Sequence, residues 1–210
     1  MLGHPILGHT AHTAHPRRAA WFRRSAAVIS SLVLILCARS ASAQEPSPTE
    51  YQVKAAFLLN FAKFIEWPSS SFANPQAPFL ICILGTDPFG PMIDETLHGQ
   101  TLGGRAVAVQ RVRDAGALRH CQVGFISTSE KKRVQDIIEA VKGASVLLVG
   151  ESPQFAAAGG MIQFGMEDDH VRFLINPEAA ERAGLRVSSK LLSLATIIHD
   201  AASNEKSGGS

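Results

Sequence analysis

Residues 159–195, GGMIQFGMEDDHVRFLINPEAAERAGLRVSSKLLSLA, decide the fold of this chain. Two short apolar segments, 161–166 and 171–175, lie on either side of the polar sequence 167–170 (EDDH). Apolar runs separated by a few polar residues predict a hairpin of two strands with a solvated turn.

The second half of this segment predicts two short helices. The sequence N-P-E that begins at Asn176 is typical of a helix start, because asparagine caps free backbone N–H groups and proline fits the first helical position. Gly184 predicts the end of that helix. We expect the next helix to begin at Ser188 or Ser189 and to carry the leucines that follow, at 191, 192 and 194. The segment is therefore a packed module that ends the domain.

The composition indicates one globular domain. The chain has 210 residues, of which 46% are hydrophobic and 18% are charged. The net charge of +2 is unevenly distributed, since residues 1–43 hold five arginines and no acidic residue. The remainder has 15 basic and 18 acidic residues, a formal charge of −3. This balance gives nucleic-acid binding little electrostatic support.

Residues 1–43 have the pattern of an export signal. Arginine pairs precede an apolar run at 26–38, and the small residues A-S-A at 41–43 follow it. We predict cleavage near Ala43, so that the mature protein begins at Gln44 in the periplasm. A membrane anchor is the alternative, but the apolar run is shorter than the ~20 residues that span a bilayer. A lipoprotein is disfavoured because Leu36, which precedes Cys37, is not small.

The middle of the chain predicts a sheet with helices between its strands. The segment 79–84 (FLICIL) is continuously apolar, as is typical of a strand buried on both faces. The other predicted strands are 106–112, 123–127 and 145–149. The predicted helices are 49–65, 91–97 and one from Ser129 to about 141.

This alternation predicts an α/β fold with a mainly parallel sheet flanked by helices on both faces, an αβα sandwich. The C-terminal antiparallel hairpin is expected at one edge of the sheet. The predicted domain spans residues 44–201, and the polar, glycine-rich tail 202–210 is predicted to be disordered.

The first predicted helix has an apolar stripe that we interpret as core. Its members recur at spacings of three and four and are Val53, Phe57, Phe61, Phe64 and Ile65.

For each candidate catalytic, cofactor or metal motif, a simple structural role explains the residues better than the function does. The segment 129–132 matches S-x-x-K, but the partner motifs S-D-N and K-T-G are absent. The turn 85–90 lacks a phosphate-binding glycine pattern, and Pro88 removes one N–H donor. The acids at 167–169 lack the spacing of a calcium loop, and the histidines at 98, 120, 170 and 199 do not pair as H-E-x-x-H. We predict a protein that is not an enzyme and has no catalytic residues, no cofactor and no metal.

Two cysteines, Cys82 and Cys121, remain after the predicted cleavage. An even number of cysteines in an oxidising compartment favours a disulfide. Two buried free thiols are the alternative, because cysteine also packs well in cores.

Three segments resemble one known family. They are 51–68 (YQVKAAFLLNFAKFIEWP), 121–127 (CQVGFIS) and the stretch 176–195 quoted above. In order and spacing they are similar to the YfiR-like (HmsC-like) periplasmic family of bacterial regulators, over about residues 51–201. The resemblance implies an α/β sandwich that acts without catalysis and one disulfide between Cys82 and Cys121. A second cysteine pair, which some members carry, is absent from this chain.

The resemblance also implies a function. The chain is expected to be a negative regulator that binds the periplasmic domain of an inner-membrane diguanylate cyclase and so lowers cyclic-di-GMP signalling and biofilm formation. An outer-membrane lipoprotein is implied as a second partner, and a homodimer is left open. The alternative is a periplasmic small-molecule-binding module that feeds a sensor kinase or transporter, since open α/β sheets bind ligands beyond their strand ends.

Overall fold

The computed structural model describes residues 49–199. The predicted export signal at 1–43, its cleavage position and the predicted tail at 202–210 lie outside the described residues. Within 49–199, none of the helices has both the length and the apolar character needed to cross a membrane.

The chain enters the domain through helix α1, Glu50–Lys63, which begins at a capping box. Thr49 Oγ1 accepts a hydrogen bond from the backbone N–H of Gln52 at 3.4 Å, and Gln52 Oε1 accepts one from the N–H of Thr49 at 2.6 Å. The helix is shorter than predicted, because Ile65 belongs to a strand. That strand, β1 (Ile65–Glu66), pairs antiparallel with β9 (Arg186–Val187).

The main sheet of residues 49–199 has eight strands. They are β2 (Phe79–Leu84), β3 (Thr101–Leu102), β4 (Arg105–Val112), β5 (Val123–Ile126), β6 (Leu147–Gly150), β7 (Ile162–Glu167), β8 (His170–Ile175) and β10 (Thr196–Ile197). Their order is β10-β8-β7-β6-β5-β2-β4-β3. The β7–β8 and β3–β4 pairs are antiparallel and the others are parallel. The sheet is therefore mainly parallel, and the predicted α/β class is confirmed.

The remaining helices lie around this sheet. They are α2 (Met92–Leu97), α3 (Val134–Ala140), α4 (Pro177–Arg182) and α5 (Ser189–Leu192), with 3₁₀ turns at Ser69–Ser71, Ala115–His120 and Thr128–Arg133.

Two hydrophobic clusters cover the two faces of the sheet. Ile81 and Ile83 of β2 belong to the larger cluster, to which α1, α2, α4 and α5 contribute. Cys82 and Leu84, which alternate with them, belong to the second cluster with α3 and the turn Ala115–His120. Because β2 is buried on both faces, its sequence is apolar without interruption.

The hairpin forms as predicted, with a tighter turn. Only Asp168 and Asp169 lie in the loop, with φ of 48° and 59°. Glu167 and His170 belong to the strands and pair with each other. Two residues with positive φ make the turn that best fits the twist of a hairpin, and aspartate tolerates this conformation better than most residues.

The expectation that the hairpin forms one edge of the sheet is wrong. Strand β10 pairs with β8 on its outer side, at Thr196 with Leu174 and Ile197 with Ile175. A two-residue strand has too few residues for a readable alternation, which is why the sequence did not indicate it.

The predicted helix from Ser129 begins differently. Ser127 is the capping residue, and its Oγ accepts a hydrogen bond from the N–H of Ser129 at 3.4 Å. The first turn, Thr128–Arg133, is 3₁₀, and α3 follows it. At the C-terminal end, Asn176 caps α4 by accepting from the N–H of Ala179 at 3.0 Å, and Ser188 caps α5.

Candidate functional site

Cys82 and Cys121 are joined by a disulfide, with their Cα atoms 6.0 Å apart. Cys82 lies within β2, and Cys121 lies just before the neighbouring parallel strand β5. Both side chains are buried in the second hydrophobic cluster. The bridge therefore links two central strands inside the core and offers no sulfur at the surface.

The strand order locates the place where α/β sheets of this kind commonly bind ligands. The consecutive parallel strands β2, β4, β5 and β6 are arranged so that β4 lies on one side of β2 and β5 on the other. The chain thus changes direction across the sheet between β2 and β5, and a crevice is expected beyond their carboxyl ends.

Side chains that follow β5 contact the loop after β2 at that crevice. Ser129 Oγ accepts a hydrogen bond from the N–H of Thr86 at 2.9 Å. Gly85 has φ of +93°, and a Cβ there would overlap Ser129 and the side chain of Glu130. The serine of the S-x-x-K match therefore binds the loop after β2, while Lys132 is exposed.

The predicted turn 85–90 uses its own polar groups internally. Asp87 Oδ1 accepts from the N–H of Phe89 at 2.7 Å and of Gly90 at 3.2 Å. Arg111 Nε donates to Asp87 Oδ2 at 2.9 Å, and its guanidinium also pairs with Asp94. The hydrogen bond with Asp94 raises the pKa of Arg111 and lowers the pKa of Asp94. Since these N–H groups are already occupied, the turn does not form a phosphate cradle.

The buried charges near this end of the sheet centre on Lys54. Its side chain is only 4% exposed and pairs with Glu151, just after β6, at 2.7 Å, and with Glu50 one turn earlier on α1. The hydroxyl of Thr128 donates to the other oxygen of Glu151 at 3.1 Å. The ammonium also lies 4.7 Å from the centre of the Tyr51 ring. The cluster fastens α1 to the carboxyl ends of β5 and β6.

The electrostatics of the Lys54 cluster favour the charged lysine. Burial alone would lower the pKa of Lys54, but the hydrogen bonds and charges of Glu151 and Glu50 outweigh it, and the pKa is raised. Burial, and then the charge of Glu151, raises the pKa of Tyr51. Because its ammonium is paired with carboxylates on two different elements, the cluster is suited to holding those elements together.

Lys54 and Glu151 are functional-site residues that only weak signals in the sequence indicate. Lys54 stands at the helical spacing of the buried positions Leu58 and Phe61, which is a weak signal for a buried lysine. Glu151 directly follows a strand buried along its whole length, and residues in that place often carry polar contacts.

The acidic residues and histidines that the sequence offers as candidate metal ligands do not cluster in the described structure. In residues 49–199, no group of three or more histidine, cysteine, aspartate or glutamate side chains is placed to hold a metal ion. His199 Nδ1 lies 2.5 Å from Glu178 Oε1, and His170 Nδ1 lies 2.6 Å from the carbonyl oxygen of Asp168.

An apolar groove of about 330 Å³ lies between α3 and α4. The hydrophobic residues that line it include Ile138, Val141, Leu148, Met161, Ala179 and Ala183. Lys142, Glu139 and Arg182 supply polar groups to the same lining. Its volume lies at the lower end of the range for small-molecule sites.

A family model described as YfiR/HmsC-like matches residues 51–196. Among solved structures, a conserved domain protein from Vibrio cholerae O1 biovar El Tor is similar with a TM-score of 0.51 and 10% identity, over 71% of this chain and 60% of that one. The ABC domain in complex with L-Trp from Streptococcus pneumonia gives a TM-score of 0.44 and 9% identity, over 57% and 55%. This chain thus spans less than two thirds of either structure, and the first likeness concerns the fold alone.

Proposed function

The chain belongs to the YfiR/HmsC-like family, and from this premise we propose that it inhibits a membrane-bound diguanylate cyclase by binding the cyclase's periplasmic domain. The family is known for periplasmic regulators in cyclic-di-GMP signalling, and it is regulatory rather than catalytic. The finer role, with one cyclase as target and an outer-membrane lipoprotein as antagonist, is our proposal for this chain.

The observation that carries the proposal is the extent of the family match. Residues 51–196 run from the first turn of α1 to the start of β10, which is nearly all of the described domain. The family resemblance therefore concerns the whole folded unit.

The structure supports an interaction protein at the level of the site. Ser129 and Glu130 lie against Gly85 at the crevice beyond β2 and β5, and the buried charges near it are paired with one another. An inhibitor of this kind needs no catalytic groups. It must bind the inactive conformation of the cyclase better than the active one, and it shifts that equilibrium only by the difference in affinity.

Gene deletion tests the proposal. Deleting the gene should raise cyclic-di-GMP and biofilm formation, and the rise should vanish when the partner cyclase is deleted as well. Complementation with the full chain should reverse the rise, whereas a version without residues 1–43 should not, because it stays in the cytoplasm. Unchanged cyclic-di-GMP under every condition in which the protein is expressed would refute the proposal.

The groove between α3 and α4 favours a second candidate, a small-molecule-binding module. A ligand there would contact a mainly apolar surface, with the side chains of Glu139, Lys142 and Arg182 in the same lining. A gene for a sensor kinase or transporter beside this gene, together with a metabolite that raises the melting temperature, would favour this candidate.

A further inference from the structure

The outward side of α1 carries a small apolar patch, although its other exposed residues, Glu50, Gln52, Asn60 and Lys63, are polar or charged. Val53, Ala56, Phe57 and Asn60 stand at i, i+3, i+4 and i+7 and line a shallow groove of about 280 Å³ with Gln52. The helical spacing of Val53 and Phe57 predicts core positions, but both side chains are half-buried and Ala56 is exposed. A surface helix normally presents charged and polar residues on its outer side. The patch of Val53, Ala56 and Phe57 thus has the composition of a contact surface.

The apolar surface continues onto the hairpin. The Phe57 ring lies 5.5 Å from the ring of Phe173, centre to centre. Met166 and Val171 pair across β7 and β8, and each is two residues from a phenylalanine that packs on α1, so their side chains share that face. Met166 is 49% exposed. We call Val53, Ala56, Phe57, Met166 and Val171 the α1–hairpin surface.

The surroundings of the α1–hairpin surface are acidic. The exposed acids Glu167, Asp168 and Asp169 lie at the hairpin end, and Arg172 pairs with Glu167 at 3.4 Å. At the start of α1, Lys54 is shared between the carboxylates of Glu50 and Glu151. Glu50 and Glu151 line one pocket with Met166, so both groups of acids lie at the same end of the surface, where acidic groups outnumber basic ones.

We propose that the α1–hairpin surface receives an amphipathic helix with lysines or arginines beside its apolar stripe, supplied by the periplasmic domain of the regulated cyclase. This inference rests on the proposed function, since that function supplies the identity of the partner. A helix fits because residues spaced i, i+3, i+4 and i+7 form the ridges and grooves in which another helix packs. Basic residues fit because they complement the acids beside Met166.

Substitution of Ala56 tests the surface without disturbing the core. The probe is the purified periplasmic domain of the cyclase whose deletion removes the cyclic-di-GMP phenotype. Ala56→Lys should weaken its binding by about tenfold or more, because it places a cation in an apolar contact beside a basic partner. Ala56→Glu should weaken binding less than Ala56→Lys does. The control is Ala157→Lys, an exposed alanine close to the second hydrophobic cluster, which should change binding by less than about twofold.

Cross-linking identifies the occupant in cells. The photoreactive residue p-benzoylphenylalanine is placed at position 56 or, as a control, at position 157 of the full chain. The expected product at position 56 joins this chain to a basic amphipathic helix of the cyclase's periplasmic domain. A product with this chain itself, or with a segment that is not basic, overturns the inference, as does a yield no higher than at position 157.

The two proposals fail in different ways. If the cyclase domain binds the Ala56→Lys variant as tightly as the unchanged protein, the surface assignment is wrong and the proposed function stands. If no cyclase domain binds the unchanged protein or the Ala56→Lys variant, the proposed function is wrong. The cyclase is then also excluded as the partner that binds the α1–hairpin surface.

Discussion

Lys54 is held by two carboxylates on different elements, Glu50 on α1 and Glu151 after β6. A buried ion pair contributes little net stability compared with apolar residues of similar size, but removing one partner is costly. Lys54 therefore matters because its loss would leave Glu151, whose side chain is 8% exposed, with a buried charge.

We expect Lys54→Met to lower the free energy of unfolding by about 3 kcal/mol, because it leaves the Glu151 carboxylate without its cation. Urea unfolding measures this change. Lys63→Met, at an exposed position of the same helix, should change stability by less than about 0.5 kcal/mol. The double variant Lys54→Met, Glu151→Leu should recover most of the loss, and an unaffected single variant would contradict the account of the cluster.

The Lys54 pair also has a predicted pH dependence. Because the folded-state pKa of Lys54 is raised, the stability it contributes is complete below the ordinary lysine value of 10.5 and is lost as the pH rises through the folded-state pKa. The difference in unfolding free energy between the unchanged protein and Lys54→Met should therefore narrow only above about pH 10.5, as the pH rises through the folded-state pKa. A difference that stays constant over this range would show that the charge of Lys54 is not responsible.

At the scale of elements, the disulfide has a structural role. It closes a loop of sequence separation 39 between β2 and the residue before β5. On a chain-entropy model such a link contributes about 3–4 kcal/mol by restricting the unfolded chain.

Cys82→Ser should therefore lower the melting temperature clearly, as measured by calorimetry without reductant. The double variant Cys82→Ala, Cys121→Ala should lose a similar amount, because both proteins lack the same link. Thiol titration of the denatured mature protein should find no free cysteine, and two titratable thiols would count against the bridge.

Elements with a long sequence signal were predictable, and the shortest ones were not. The apolar run of β2 predicts the strand Phe79–Leu84 with its observed bounds. A strand buried on both faces has no polar residues, so the ends of the apolar run mark the ends of the strand. The sequence N-P-E after β8 gave the cap and start of α4. Strands β1, β9 and β10 have two residues each and show no periodicity. Their pairing depends on where the rest of the chain places them.

At the scale of the whole molecule, the sequence predicted the sheet but not which side of α1 faces it. Val53, Phe57 and Phe61 have helical spacing, yet Phe61 is fully buried and the other two are half-exposed. A helix with apolar residues on two sides gives no single direction for burial, so periodicity alone could not separate core from contact surface. The Lys54 cluster was missed for a related reason, because its partners are 97 residues apart in the chain.

Export is the condition for the proposed function. We expect the mature protein to begin at Gln44, because the sequence 41–43 has the small residues that signal peptidase cleaves after. N-terminal sequencing of protein from the periplasmic fraction measures this. A product that keeps Trp21 and Phe22 and stays in the membrane would contradict it.

The most direct test of the central claim is the rate of cyclic-di-GMP synthesis by the full-length partner cyclase in lipid nanodiscs, where both sides of the membrane are accessible. Adding the mature chain, residues 44–210, should lower the rate saturably, at concentrations that match its measured affinity for the periplasmic domain. A cyclase without its periplasmic domain should be unaffected. An unchanged rate at saturating protein, or an equal decrease with the truncated cyclase, would contradict inhibition through the periplasmic domain.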